Sequence, residues 1–145
     1  MNKTKGGFLI SQMKQIQGRV FDSLLQEYGI EEFNGAQGRI LYVLWQEDNL
    51  PIVELSRRTG LAKTTLTGML DRMEASGFLN RTYDKQDRRL IKIILTARAK
   101  ELNDKYKEVS DRMGEIFYKG FTQDEIKGFE ETLERILNNL VEVSK

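Results

Sequence analysis

The chain has 145 residues, 39% of them hydrophobic and 31% charged, with a formal net charge of +1; this suits one soluble, largely helical domain. It has no histidine and no cysteine, which excludes Ser-His-Asp and Cys-His catalysis, disulfides, and metal sites built on imidazole or thiolate. No apolar run approaches the ~20 residues of a membrane span, the N-terminus lacks the apolar core of a signal peptide, and there is no Gly-x-x-x-x-Gly-Lys phosphate loop. The expectation is a cytoplasmic protein that is not an enzyme and needs no metal or cofactor.

The first predicted helix runs from Phe8 to Tyr28 and ends at Gly29. Ile10, Met13, Val20, Phe21, Leu24 and Tyr28 recur at helical spacing. A second helix runs from Gly35 to about Gln46, opened by Asn34-Gly35-Ala36-Gln37 as a capping box and carrying Ile40, Leu41, Val43, Leu44 and Trp45. Pro51 marks the start of the third helix, where a missing N–H costs nothing. That short helix, Ile52 to Thr59, stops at Gly60. A fourth starts near Lys63 and stops at Gly77. Two helices joined by a short turn containing glycine form a helix-turn-helix pattern.

The fourth helix has two unlike faces. Leu66, Met69, Leu70 and Met73 make one apolar stripe. The other side shows Lys63, Thr64, Thr65, Thr67, Gly68 and Arg72, residue types that can bond phosphates and base edges. An ordinary solvated helix face would show similar residues, and the segment after the helix shifts the balance. Phe78–Asp84 and Arg89–Leu95 read as strands, joined by the polar turn Asp84-Lys85-Gln86-Asp87-Arg88. A hairpin after a helix-turn-helix is a wing, here tipped by Lys85, Arg88 and Arg89. An arginine there can enter a minor groove.

Charge is unevenly spread. Residues 56–100 hold eleven Lys and Arg against four Asp and Glu, a net of +7, whereas residues 1–55 and 101–145 are net −2 and −4. The basic third coincides with the helix-turn-helix and wing, which suits a polyanion partner. After the wing, Ala97 to about Lys119 reads as one helix, with a stripe of Leu102, Tyr106, Val109, Met113, Ile116 and Phe117. Gly120 breaks it. Thr122-Gln123-Asp124-Glu125 is a second capping box, opening a last helix from about Gln123 to Val143. The pairs Glu31-Glu32 and Glu130-Glu131 read as solvated carboxylates.

Asp87-Arg88-Arg89-Leu90-Ile91-Lys92-Ile93-Ile94-Leu95-Thr96 resembles the Asp-x-Arg wing signature, ending in Leu-Thr, of the MarR family of bacterial transcription regulators. Leu70-Asp71-Arg72-Met73-Glu74-Ala75-Ser76-Gly77-Phe78 resembles that family's recognition-helix exit. The resemblance implies a mainly α fold with a small β-hairpin wing: a winged helix-turn-helix over residues 34–96 of a single 1–145 domain, flanked by dimerisation helices at 8–29 and 97–143. It implies a homodimer on a pseudo-palindromic operator in double-stranded DNA, acting most often as a repressor. The DNA contacts would be Lys63, Thr64, Thr65, Thr67, Arg72, Lys85, Arg88 and Arg89, with Asp87 orienting the wing. Phe8, Leu9, Phe117, Phe129, Leu133, Leu137 and Leu140 would pair the protomers. A small aromatic ligand would sit near Met13, Tyr42, Trp45 and Met113, residues that core packing would also explain.

Three positions depart from the family pattern. Ala62 stands where relatives place a capping Ser, Gly68 where many carry a long polar residue, and Ala99 where Gly is usual. Gly68 leaves open a different class of function, a winged-helix module that binds a protein and has lost specific DNA binding. A third reading is an architectural protein tolerant of DNA sequence.

Overall fold

The computed structural model describes residues 3–144. The elements in order are α1 (Gly6–Glu27), α2 (Gly35–Gln46), β1 (Leu50–Pro51), α3 (Ile52–Thr59), α4 (Lys63–Ala75), β2 (Leu79–Tyr83), β3 (Ile91–Leu95), α5 (Ala97–Glu101), α6 (Asn103–Phe117) and α7 (Gln123–Ser144). By its contacts the chain divides within α6 into two compact units, one reaching Ser110 and one starting at Asp111.

In the first unit, α2 opens as its sequence dictates. The Asn34 side chain accepts from the Gln37 N–H at 2.8 Å, and Gln37 Oε1 accepts from the Asn34 N–H at 3.1 Å. The Gly35 N–H donates to Asp22 Oδ1 at 2.8 Å, which ties the start of α2 to α1. Ile40, Leu41 and Leu44 of α2 are buried, with Leu55 of α3, Leu66, Leu70 and Met73 of α4, and Leu79, Ile93 and Leu95 of the sheet. Burying each such side chain is worth about 1.5–3 kcal/mol, so this cluster fixes how the helix-turn-helix sits on the hairpin.

The sheet has a strand that sequence patterning does not show. β1 pairs antiparallel with β3 through Leu50↔Ile93 and Pro51↔Lys92, and the strand order is β1-β3-β2. Two residues are too few to display alternation. Pro51 is therefore extended (φ −62°, ψ 148°) and precedes α3 rather than forming its first turn. Asp48 sets this corner: its Oδ1 accepts from the Asn49 N–H at 2.8 Å and from the Leu95 N–H at 2.9 Å. The hairpin strands are shorter than their sequence limits. β2 pairs with β3 from Leu79↔Leu95 to Tyr83↔Ile91; Asp84, Arg89 and Leu90 belong to the wing turn, and Phe78 to the bend between α4 and β2.

The expected single helix over 97–119 is two helices, broken at Leu102. The Ala99 carbonyl accepts from the Leu102 N–H at 3.2 Å and also from Trp45 Nε1–H at 2.9 Å. That tightens the chain by one residue there, and the α-helical pattern resumes with Tyr106 N–H to the Leu102 carbonyl at 3.0 Å. The apolar stripe continues across the break, so the sequence carries no sign of it.

In the second unit, the end of α6 turns at Gly120 (φ +86°) into α7. Thr122 and Glu125 form the expected reciprocal cap, with Thr122 N–H to Glu125 Oε1 at 2.9 Å and Glu125 N–H to Thr122 Oγ1 at 3.2 Å. The rings of Phe117, Tyr118, Phe121 and Phe129 meet around this turn. The Tyr118 hydroxyl donates to Glu130 Oε2 at 2.7 Å. Desolvation and the neighbouring carboxylate push that hydroxyl up to about 12.

Candidate nucleic-acid interface

The turn between α3 and α4 is set by three local features. Gly60 adopts φ +76°, a left-handed conformation in which a Cβ would be strained. Ser56 Oγ donates to the Leu61 carbonyl at 2.6 Å, and Thr59 Oγ1 donates to the Leu55 carbonyl at 2.8 Å. α4 then starts from Ala62, which offers no side-chain cap. Leu66, Met69, Leu70 and Met73 are buried, and Lys63, Thr64, Thr65, Thr67 and Arg72 are exposed. The two faces predicted from spacing are therefore the two faces observed. Thr67 donates to the Lys63 carbonyl at 2.8 Å, which leaves its oxygen free to accept.

Gly68 lies within this outer surface. A Cβ built there would meet nothing within 4 Å. Gly68→Ala is expected to raise stability by up to about 1 kcal/mol through helix propensity, read as a higher midpoint in a thermal melt.

The wing is a turn organised by two aspartates. Asp84 Oδ1 accepts from the Gln86 and Asp87 N–H groups at 2.8 and 3.1 Å, which holds its carboxyl below the usual range. Asp87 Oδ1 accepts from both the N–H and the Nε of Arg89, each at 3.1 Å. The Arg89 side chain is otherwise 93% exposed. Arg89, expected to start a strand, lies with Arg88 in the turn closed by Leu90 N–H to the Asp87 carbonyl at 3.0 Å. Lys85 and Arg88 are exposed. A cleft of about 200 Å³ lined by Lys63, Thr67, Arg89 and Ile91 joins the start of α4 to the base of the wing.

Arg81 is the residue that sequence reasoning missed. Its Nε and Nη2 donate to Glu74 Oε1 at 3.1 and 2.8 Å, its Nη2 lies 2.6 Å from Asp71 Oδ1, and its N–H donates to Glu74 Oε2 at 3.0 Å. The Arg81 N–H and guanidinium hold the Glu74 carboxyl below its usual range. This binds the hairpin to α4. The signal was present: alternation puts Arg81 on the same face as buried Leu79, and a cation on an inward face needs anions opposite it. On α3, Arg57 and Arg58 both hydrogen-bond Glu54 and hold its carboxyl down to about 2; Arg58 also reaches Glu47 at 2.8 Å. These cations are committed to carboxylates, whereas Lys63, Arg72, Lys85 and Arg88 are exposed and Arg89, bonded through Nε to Asp87, keeps its side chain 93% exposed.

The remaining candidates divide. Trp45 and Tyr42 gather around the Tyr106 ring, at centroid distances of 5.0 and 6.3 Å. Met13 is exposed on α1, and Met113 is buried in the second unit. Phe8 and Leu9 are exposed on α1, with Phe8 71% exposed. Phe117, Phe129 and Leu133 are half-buried in the second unit, where Leu137 and Leu140 are exposed and no residue of α7 is buried.

The family model of the MarR family matches residues 33–91, the span that holds the helix-turn-helix and most of the wing. The HTH-type transcriptional regulator TtmR of Methylorubrum extorquens is 33% identical over 123 residues, covering 85% of this chain. Over residues 33–91 the chain is therefore similar to the MarR family. The match spans only 60% of TtmR itself. Among solved structures, reduced AbfR bound to DNA is 27% identical with a TM-score of 0.72, the match covering 92% of this chain and 90% of that one. PcaV of Streptomyces coelicolor, solved with its natural ligand, shares the fold at a TM-score of 0.79 and 23% identity, covering 95% and 98% of the two chains.

Proposed function

We propose that the protein is a sequence-specific DNA-binding regulator of transcription, acting as a homodimer on a pseudo-palindromic operator, and a repressor released by a small aromatic ligand. One observation carries the DNA reading: α4 buries its apolar stripe and turns Lys63, Thr64, Thr65, Thr67 and Arg72 outward, beside a wing whose Lys85, Arg88 and Arg89 are also exposed. In this reading α4 lies in the major groove, and Arg89, aimed by Asp87, reaches the minor groove. AbfR, a structural relative solved bound to DNA, supports DNA as the partner. TtmR is named a transcriptional regulator, and no catalytic role is proposed for this chain. Among the described residues no helix is long and apolar enough to cross a membrane, and a cytoplasmic location suits the reading.

The test is selection of bound duplexes from a random pool, with titration of the resulting consensus. Log affinity should fall linearly with log salt, by roughly 0.9 per phosphate contact, and Lys85→Ala should lower that slope by about one. Binding that ignores both salt and sequence would sink this reading.

Dimerisation is supported by the exposed apolar positions of α1 and α7, each taken on its own. Phe8, Leu9, Ile10, Met13 and Ile16 are exposed on α1, and Ile136, Leu137, Leu140 and Val141 on α7. Contiguous apolar patches of this kind mark association surfaces. Light scattering at micromolar concentration should give a mass of twice 16.8 kDa. Two winged helices related by a two-fold axis would meet half-sites about one helical turn apart, ~34 Å. The ligand part rests on Tyr42 and Met13, both exposed, with the Tyr42 ring beside an aromatic cluster. The sequence has no cysteine, so thiol oxidation has no part in it.

A further inference from the structure

Tyr83 is a large aromatic side chain that the folded chain leaves 65% exposed, and the DNA contacts proposed for α4 and the wing tip give it no role. It ends β2, and the register fixes its position. Leu79, Arg81 and Tyr83 share one face of the strand, opposite Leu95, Ile93 and Ile91 of β3. That face is the one α4 covers: Leu79 is buried, and Arg81 is held by Asp71 and Glu74 of α4. Tyr83 is the next residue out. Its cross-strand partner Ile91 lines the cleft that also holds Lys63, Thr67 and Arg89. On its other side Tyr83 lines an open groove of about 530 Å³ with Asp84, Lys85 and Arg88.

The carboxylate in that groove is not a free repulsive charge. Asp84 Oδ1 accepts from the Gln86 and Asp87 N–H groups, and Oδ2 lies 3.5 Å from Lys92 Nζ. The groove therefore presents a phenolic hydroxyl and two exposed cations around a neutralised carboxylate. A phenol hydroxyl is a phosphate donor of the kind used in protein–DNA interfaces, and its ring supplies apolar area at little entropic cost because only two torsions are fixed.

We propose that Tyr83, with Lys85 and Arg88, forms a phosphate seat on the outer flank of the wing, where its hydroxyl donates to one backbone phosphate of the bound duplex. The proposal rests on the DNA-binding reading. The seat lies outside the Arg89 contact and adds no base readout of its own, so it strengthens binding to every duplex alike.

The test uses the full-length protein and two duplexes, the selected consensus and a scrambled one. Tyr83→Phe removes only the hydroxyl and should weaken both complexes by roughly tenfold. Its salt slope should match the wild type, because a neutral donor displaces no counterion. Tyr83→Ala should weaken both further. Thermal melts of both variants should stay near the wild type. In parallel, Tyr83→Cys creates the sole cysteine of the chain, to which an iron–EDTA group is attached; strand cleavage should fall beside the wing's footprint. Affinity of Tyr83→Phe equal to wild type, or a tethered group that leaves the duplex uncut, would overturn the seat. A wild-type protein that binds neither duplex would overturn the DNA reading itself, an outcome separable from failure of Tyr83 alone.

Discussion

Replacing Arg89 by alanine is expected to weaken operator binding by about 1–3 kcal/mol, a loss of roughly 5- to 150-fold, with little change in stability. Both halves rest on geometry. The side chain is 93% exposed, so truncation opens no cavity, and the turn is held by Asp84 and Asp87 through backbone N–H groups that the substitution leaves in place. What is lost is a guanidinium already oriented through its Nε by Asp87 at 3.1 Å. Pre-orientation lowers the side-chain entropy that binding must still cost. Arg88 has no such bond to Asp87 and lies in the same turn, so Arg88→Ala should act through phosphate attraction and cost less. Asp87→Ala should carry part of the Arg89 effect. A duplex titration of the three variants beside thermal melts decides the order; an Arg88 effect larger than that of Arg89 would put the groove contact on the wrong arginine.

The wing was legible in the sequence because its chemistry is local. Asp-x-Arg, two turn-forming aspartates and alternating apolar residues all act within about ten positions. The same holds for the two capping boxes and for the buried stripe of α4, each a matter of three- or four-residue spacing. The break at Leu102 depends instead on Trp45, 54 positions from Ala99, whose indole takes up the Ala99 carbonyl. β1 exists because Asp48 fastens its own neighbour and Leu95 together. The Arg81 link to Asp71 and Glu74 lies between these cases. Strand alternation placed the cation on an inward face, but only the packing of β2 against α4 shows which carboxylates answer it. The second capping box likewise placed a last helix from about Gln123 without showing that this chain alone fully buries no residue of α7.

The largest effect on stability is expected at Gly38. Gly38→Ala should destabilise the protein by about 1–3 kcal/mol, the range for overpacking a filled core, even though alanine is the better helix former by about 1 kcal/mol. Gly38 is buried in α2, and a Cβ there would lie 2.7 Å from Tyr106 Cε2 and 3.2 Å from Phe33 Cε2. The first distance is too short for any real contact, so the Tyr106 ring has to move. It has little room: its centroid is 5.7 Å from Phe21, 6.0 Å from Phe33 and 5.0 Å from Trp45. Displacing it would also disturb the Trp45 indole that bonds the Ala99 carbonyl, and with it the corner where α5 gives way to α6. The same exchange at Gly68 meets nothing within 4 Å and should change stability in the opposite direction. Comparing the two alanine variants in one thermal melt isolates packing, since helix propensity contributes alike to both. If Gly38→Ala melts at or above the wild type, the Tyr106 ring is not packed against α2. With the ring in place, a Tyr106→Val change made on the Gly38→Ala background should lose less than the same change in the wild type, because the added methyl fills part of the space the ring vacates.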